Sequence, residues 1–70
     1  MRSEQVTARA LKKVNGDRYI LSIAVAKRAV ELESGKDMLI QVDKSKFKYT
    51  DIALMEIAEG FLKVTDIIDK

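Results

Sequence analysis

Residues 17–34 read Asp17-Arg18-Tyr19-Ile20-Leu21-Ser22-Ile23-Ala24-Val25-Ala26-Lys27-Arg28-Ala29-Val30-Glu31-Leu32-Glu33-Ser34, and this stretch decides the fold. It predicts a helix over 18–34. Asp17 precedes it as N-cap, because a short carboxylate there can accept a free amide of the first turn. At about 100° per residue, Tyr19, Ile23, Ala26 and Val30 form one apolar stripe. Leu21, Val25, Ala29 and Leu32 form a second, with small Ser22 between them. The apolar arc approaches roughly 200°, about twice the stripe a one-sided surface helix needs. Lys27, Arg28 and Glu31 hold the remaining arc and are expected at its solvent edge. One stripe is expected against the chain's own helices and the other against a partner.

Working outward, Gly16, Gly35 and Gly60 each follow a helical stretch and mark its end. A first helix is predicted over 4–14, with Ser3 as N-cap and Val6, Ala10, Leu11 and Val14 on one side. Lys12 and Lys13 fall in its last turn, where cations suit the helix dipole. A third is predicted over 50–59, capped by Thr50 or Asp51. Ala53, Leu54, Met55, Ile57 and Ala58 form its wide apolar arc, with Glu56 and Glu59 pointing out. Thr65 or Asp66 opens a last short turn through Ile67 and Ile68. Residues 36–49 are expected as an extended connection that lays Leu39, Ile40 and Val42 against the helices. No Gly-containing two-residue turn marks a hairpin there. The prediction is an all-α fold, a small bundle of three main helices in a single domain spanning 1–70, with flexible termini.

Composition excludes several function classes. The 70 residues contain no Cys, no His and no Pro. Disulfides, thiol nucleophiles, thiolate metal sites and imidazole chemistry are therefore absent. The glycines are too far apart for a phosphate loop. Glu56 and Glu59 are the one pair of carboxylates on a helix face, and no third oxygen ligand lies near them in sequence. We expect no enzyme, no metal and no cofactor. No run of 18 apolar residues exists to span a membrane, and Met1-Arg2-Ser3-Glu4-Gln5 is too polar for a signal peptide, so a cytoplasmic location is expected. Hydrophobic residues make up 47% of the chain, yet a domain this small buries only about 60% of its unfolded surface. Without disulfides or metal, this too points to unusually good packing or to a partner.

Charge admits a second reading. Residues 1–50 carry 11 Lys+Arg against 6 Asp+Glu, or +5, and residues 51–70 carry 2 against 5, or −3. The run Lys44-Ser45-Lys46-Phe47-Lys48-Tyr49 alternates cations with aromatics, as a small helical nucleic-acid-binding module would. Its bland counterpart is a solvated loop anchored by Phe47 and Tyr49. A third possibility closes the second stripe of helix 18–34 in a homodimer.

Two segments carry a family resemblance. One is Asp17-Arg18-Tyr19-Ile20-Leu21-Ser22-Ile23-Ala24-Val25-Ala26-Lys27-Arg28-Ala29, followed by Leu32 and Gly35. The other, more specific, is Asp51-Ile52-Ala53-Leu54-Met55-Glu56-Ile57-Ala58-Glu59-Gly60. Together, over roughly residues 8–62, the chain resembles the omega subunit of bacterial DNA-directed RNA polymerase. The family shows an Asn-Arg-Phe/Tyr helix start, a small-residue/Arg run, and Ile-Ala-Leu-x-Glu-Ile-Ala-x-Gly after a variable loop. Here Asn15-Gly16-Asp17-Arg18 carries one residue more than the usual Gly-Asn-Arg, and Met55 stands where Arg is common. The resemblance implies a non-catalytic subunit that clasps beta-prime near its C-terminal end and aids its folding and assembly into the core enzyme. DNA would be met only through that complex. On this basis Tyr19, Ile23, Val30, Ala53 and Ile57 are expected to pack at the clasp, with Arg18, Lys27 and Arg28 as polar contacts. In some lineages the family's N-terminal Ala-Arg-Val/Ile-Thr helps bind guanosine tetraphosphate. Met1-Arg2-Ser3-Glu4-Gln5 does not reproduce it, so that contact is not carried over.

Overall fold

The computed structural model describes residues 3–68, with side-chain environments from Gln5 onward. The expected cap at the Ser3 side chain and the N-terminal pair Met1-Arg2 lie outside what is described. Four helices follow one another: α1 (Ser3–Lys13), α2 (Arg18–Glu33), α3 (Tyr49–Ala58) and α4 (Val64–Ile68). No strand occurs among the described residues, and the all-α expectation holds. Helix α3 packs against both α1 and α2, and α4 closes against α2.

The sequence of α3 explains its central place. Ile52, Ala53, Met55, Glu56, Ile57 and Ala58 are all buried, so this helix is covered nearly all round. Ile52 and Ile57 lose all solvent contact, each worth roughly 1.5–3 kcal/mol against an exposed side chain. Ala10, Ala24 and Ala53 are equally buried and small enough to let α1, α2 and α3 approach closely. Helix α3 starts one residue before the expected caps. The Asp51 carboxylate accepts the Lys48 amide at 3.2 Å, so Asp51 acts from inside the first turn. It ends at Gly60, whose φ of +81° turns the chain left-handed. The Gly60 amide then reaches the Ile57 carbonyl at 3.1 Å and the Phe61 amide reaches that of Glu56 at 3.0 Å. At the end of α1 the first left-handed residue is Asn15, at φ +55°, and not the Gly16 that the sequence pointed to.

Helix α2 begins as expected, with Asp17 accepting the Ile20 amide at 3.1 Å. Its buried stripe is Leu21, Ala24, Arg28 and Leu32. This stripe is turned from the expected Leu21, Val25, Ala29, Leu32 line. Val25 and Ala29 are half-buried at its flank. The rotation follows from Arg28, whose charge is satisfied inside the protein.

The connection 36–48 is extended, with one turn. The Lys46 amide donates to the Asp43 carbonyl at 3.0 Å, and the Asp43 carboxylate accepts both the Ser45 amide and its hydroxyl, at 2.9 and 2.7 Å. Those two bonds hold the Asp43 carboxyl below its usual range. Met38, Ile40, Val42 and Phe47 pack partly buried against the core. Leu39, expected among them, is 47% exposed, because its backbone is committed elsewhere.

Candidate functional site

Two opposite faces of α2 have different fates. Leu21, Ala24, Arg28 and Leu32 face the core. About half a helical turn away lie Tyr19, Ile23, Ala26 and Val30. Tyr19 is 74% and Val30 65% exposed, Ala26 is exposed and Ile23 half-buried. Large apolar side chains presented together on a helix face mark an interaction surface more often than scattered ones do. Arg18 and Lys27 are exposed on the same helix. They belong to the polar rim type, where long side chains cover apolar surface with their stems and keep their charge in water.

The structure brings together Arg18, Tyr19, Ile23, Lys27 and Val30 as accessible residues of one helix. Burial differs from the expected placement at four other residues. Ala53 and Ile57 have no exposed surface, so they build the core between helices. Arg28, expected at the solvent edge, is 4% exposed. Glu56, expected to point out, is fully buried. Glu59 does point out, and makes a solvent-exposed pair with Arg9 at 2.9 Å, a geometry worth little.

Arg28 and Glu56 form one bidentate pair. Arg28 Nε donates to Glu56 Oε1 at 2.6 Å and Nη2 to Oε2 at 3.0 Å. Nη1 donates to Glu31 Oε1 at 3.1 Å, and Nη2 also to the Asp37 carbonyl at 3.0 Å. Glu56 Oε2 accepts the Leu39 amide at 2.7 Å. The hydrogen bond it donates to Glu56 raises the Arg28 pKa above its ordinary value and Glu31 adds to it, against the opposing effect of burial. Every described buried side-chain polar atom has a partner. This is the geometry a buried ion pair requires, since an unmet charge in such surroundings costs on the order of several kcal/mol. Glu56, like Arg28, is buried where the sequence pattern points outward. Its signal was position: a lone acid inside the apolar run 52–58.

Among the described residues no group of acids could hold a metal ion, and no helix is long and apolar enough to cross a membrane. In the Lys44–Tyr49 run, Phe47 packs partly buried against the core as the anchored loop requires, whereas Tyr49, the other expected anchor, opens α3 and is exposed.

The family model described as RNA polymerase Rpb6 matches residues 8–64. The DNA-directed RNA polymerase subunit omega of a Nitratiruptor species is 66% identical over 64 residues, covering 91% of each chain. The protein of the same description in Campylobacter lari is 61% identical over 69 residues, covering 99% of this chain and 96% of the relative. That of Campylobacter curvus is 54% identical over 69 residues, covering 99% and 97%. No solved structure matches the chain.

Proposed function

The chain belongs to the family of the omega subunit of bacterial DNA-directed RNA polymerase, and from that premise we propose that it clasps the beta-prime subunit and promotes its folding and assembly into the core enzyme. It is a non-catalytic subunit, and the nucleotidyl-transfer chemistry belongs to other chains of the complex. Residues 1–70 act as one omega-like domain, meet DNA only through the assembled enzyme, and work in the cytoplasm.

The observation that carries this reading is the uncovered face of α2. Tyr19 and Val30 stand in water on a helix whose opposite face is already packed. Burying each against a partner removes apolar surface worth roughly 25 cal/mol per Å² before the cost of association is met. Arg18 and Lys27 supply polar contacts at the edge. Partner affinity then adds to folding free energy by mass action, so beta-prime and this chain stabilise each other.

Co-expression with the cognate beta-prime subunit tests the proposal. The chain is expected to co-purify with beta-prime and to raise its soluble yield. No co-purification together with no gain in yield refutes it.

A further inference from the structure

Residues 37–42 carry no regular secondary structure. Their tie to the helices is of two kinds. Met38, Ile40 and Val42 pack partly buried on the core. The Asp37 carbonyl and the Leu39 amide bond to Arg28 and Glu56 at 3.0 and 2.7 Å. The same two side chains hold each other through two further bonds, joining α2 to α3.

This division has a mechanical consequence. When 37–42 lifts away, Arg28 and Glu56 lose their bonds to the backbone but keep each other. Neither buried charge is stranded, and α2 and α3 stay joined. The segment can therefore open without dismantling the helices. It is also one wall of a cleft of about 310 Å³, where Ile40 and Val42 face Val6 of α1 and Met55 of α3, with Arg9 and Glu59 at the rim. Lifting the segment removes that wall.

We propose that residues 37–42 form a strap that opens and closes as a unit separate from the helix bundle, with the buried Arg28–Glu56 pair as its latch. The pair is a fixed clamp between α2 and α3 and a releasable one for the strap. The difference lies in the strength of the bonds: the clamp joins two opposite charges, whereas each strap bond joins one charge to a neutral peptide group.

The Leu39 amide reports the strap directly, because its hydrogen bond to Glu56 breaks when the strap lifts. Native-state hydrogen exchange of the full chain, followed by NMR at increasing sub-denaturing urea, is the test. Leu39 is expected to exchange faster than buried-helix amides such as that of Ile57. Its rate is expected to depend on urea less steeply than those of the helix amides, since strap opening exposes only part of the surface that global unfolding does. Arg28→Lys keeps the charge opposite Glu56, but a single ammonium cannot match the guanidinium's fork to Glu56, Glu31 and the Asp37 carbonyl. Losing a bond from a charged group is expected to speed Leu39 exchange by about tenfold to a hundredfold, with α3 amides changing less. The proposal is overturned if Leu39 shares the rate and urea dependence of the helix amides, which would make strap and bundle one cooperative unit. It is also overturned if Arg28→Lys leaves Leu39 unchanged, or speeds strap and helices equally. Should Arg28→Lys not fold, the urea dependence in the unsubstituted chain decides alone.

Discussion

Replacing Glu56 with Leu removes the carboxylate that answers a guanidinium only 4% exposed. Arg28 would keep Glu31 and the Asp37 carbonyl but lose the two bonds at 2.6 and 3.0 Å. Stranding one member of a buried pair costs about 3–5 kcal/mol. A chain of this length has a total stability of roughly 4–10 kcal/mol, so the substitution removes from a third to all of it. Arg28→Met, leaving Glu56 without its counter-charge, is expected to cost about the same. The double variant behaves differently. Apolar residues of similar volume replace a buried pair at little or no cost, so the loss that remains comes from the Asp37 carbonyl and the Leu39 amide, whose bonds to the pair are gone. Its expected loss is about 0–2 kcal/mol. The coupling between the two sites should therefore exceed about 3 kcal/mol. Urea unfolding followed by far-ultraviolet circular dichroism, at one chain concentration and with m compared across variants, reads all four proteins. Single losses below about 1 kcal/mol, or a double loss equal to the sum of the singles, would refute the assignment of the pair as a mutually dependent buried unit.

Three further outcomes follow from the same structure. Asp17→Ala removes the acceptor of the Ile20 amide at 3.1 Å; it should cost about 1 kcal/mol and lower Tm by roughly 4–8 °C, read by thermal unfolding. Ile57→Ala empties a fully buried site on α3 and should cost about 2–5 kcal/mol in urea titration, whereas Val30→Ala, at 65% exposure, should stay within about 0.5 kcal/mol. The Asp43 carboxyl is held below its unfolded value of 3.8 by Ser45. Its contribution is thus present above that pH and lost as pH falls through the lower folded value. Asp43→Asn should flatten the stability change in that acid window alone, and an undiminished slope would contradict the turn's hydrogen bonding.

The helices, the start of α2 and the end of α3 were legible because they depend on local chemistry. Asp17 caps α2 because a carboxylate next to free amides does so in any context. Gly60 ends α3 because only its backbone conformation is at stake. The burial of Arg28 and Glu56 was not legible, because it depends on two residues 28 positions apart meeting across α2 and α3. Each alone reads as a solvent-facing charge. Paired, they turn the buried face of α2 toward Ala24 and away from Val25 and Ala29. The same pair accounts for Leu39, whose amide is drawn inward to Glu56 while its side chain stays partly in water. The second apolar stripe of α2 was visible from spacing. Ala53 and Ile57, expected beside it at the clasp, are consumed by the chain's own core, while Tyr19 and Val30 stay exposed and Ile23 half-buried.

The most direct test of the clasp is competition for core enzyme assembled without this subunit. A labelled copy of the chain is bound first, and unlabelled chain or the Tyr19→Ala/Val30→Ala variant is used to displace it. Both side chains are exposed, so the variant should unfold at nearly the same urea concentration as the original. If the outer face of α2 is the clasp, losing a large aromatic anchor and its neighbour should raise the concentration needed for displacement by about tenfold or more. Equal displacement by a normally folded variant would place the contact elsewhere on the chain and contradict the proposed interface.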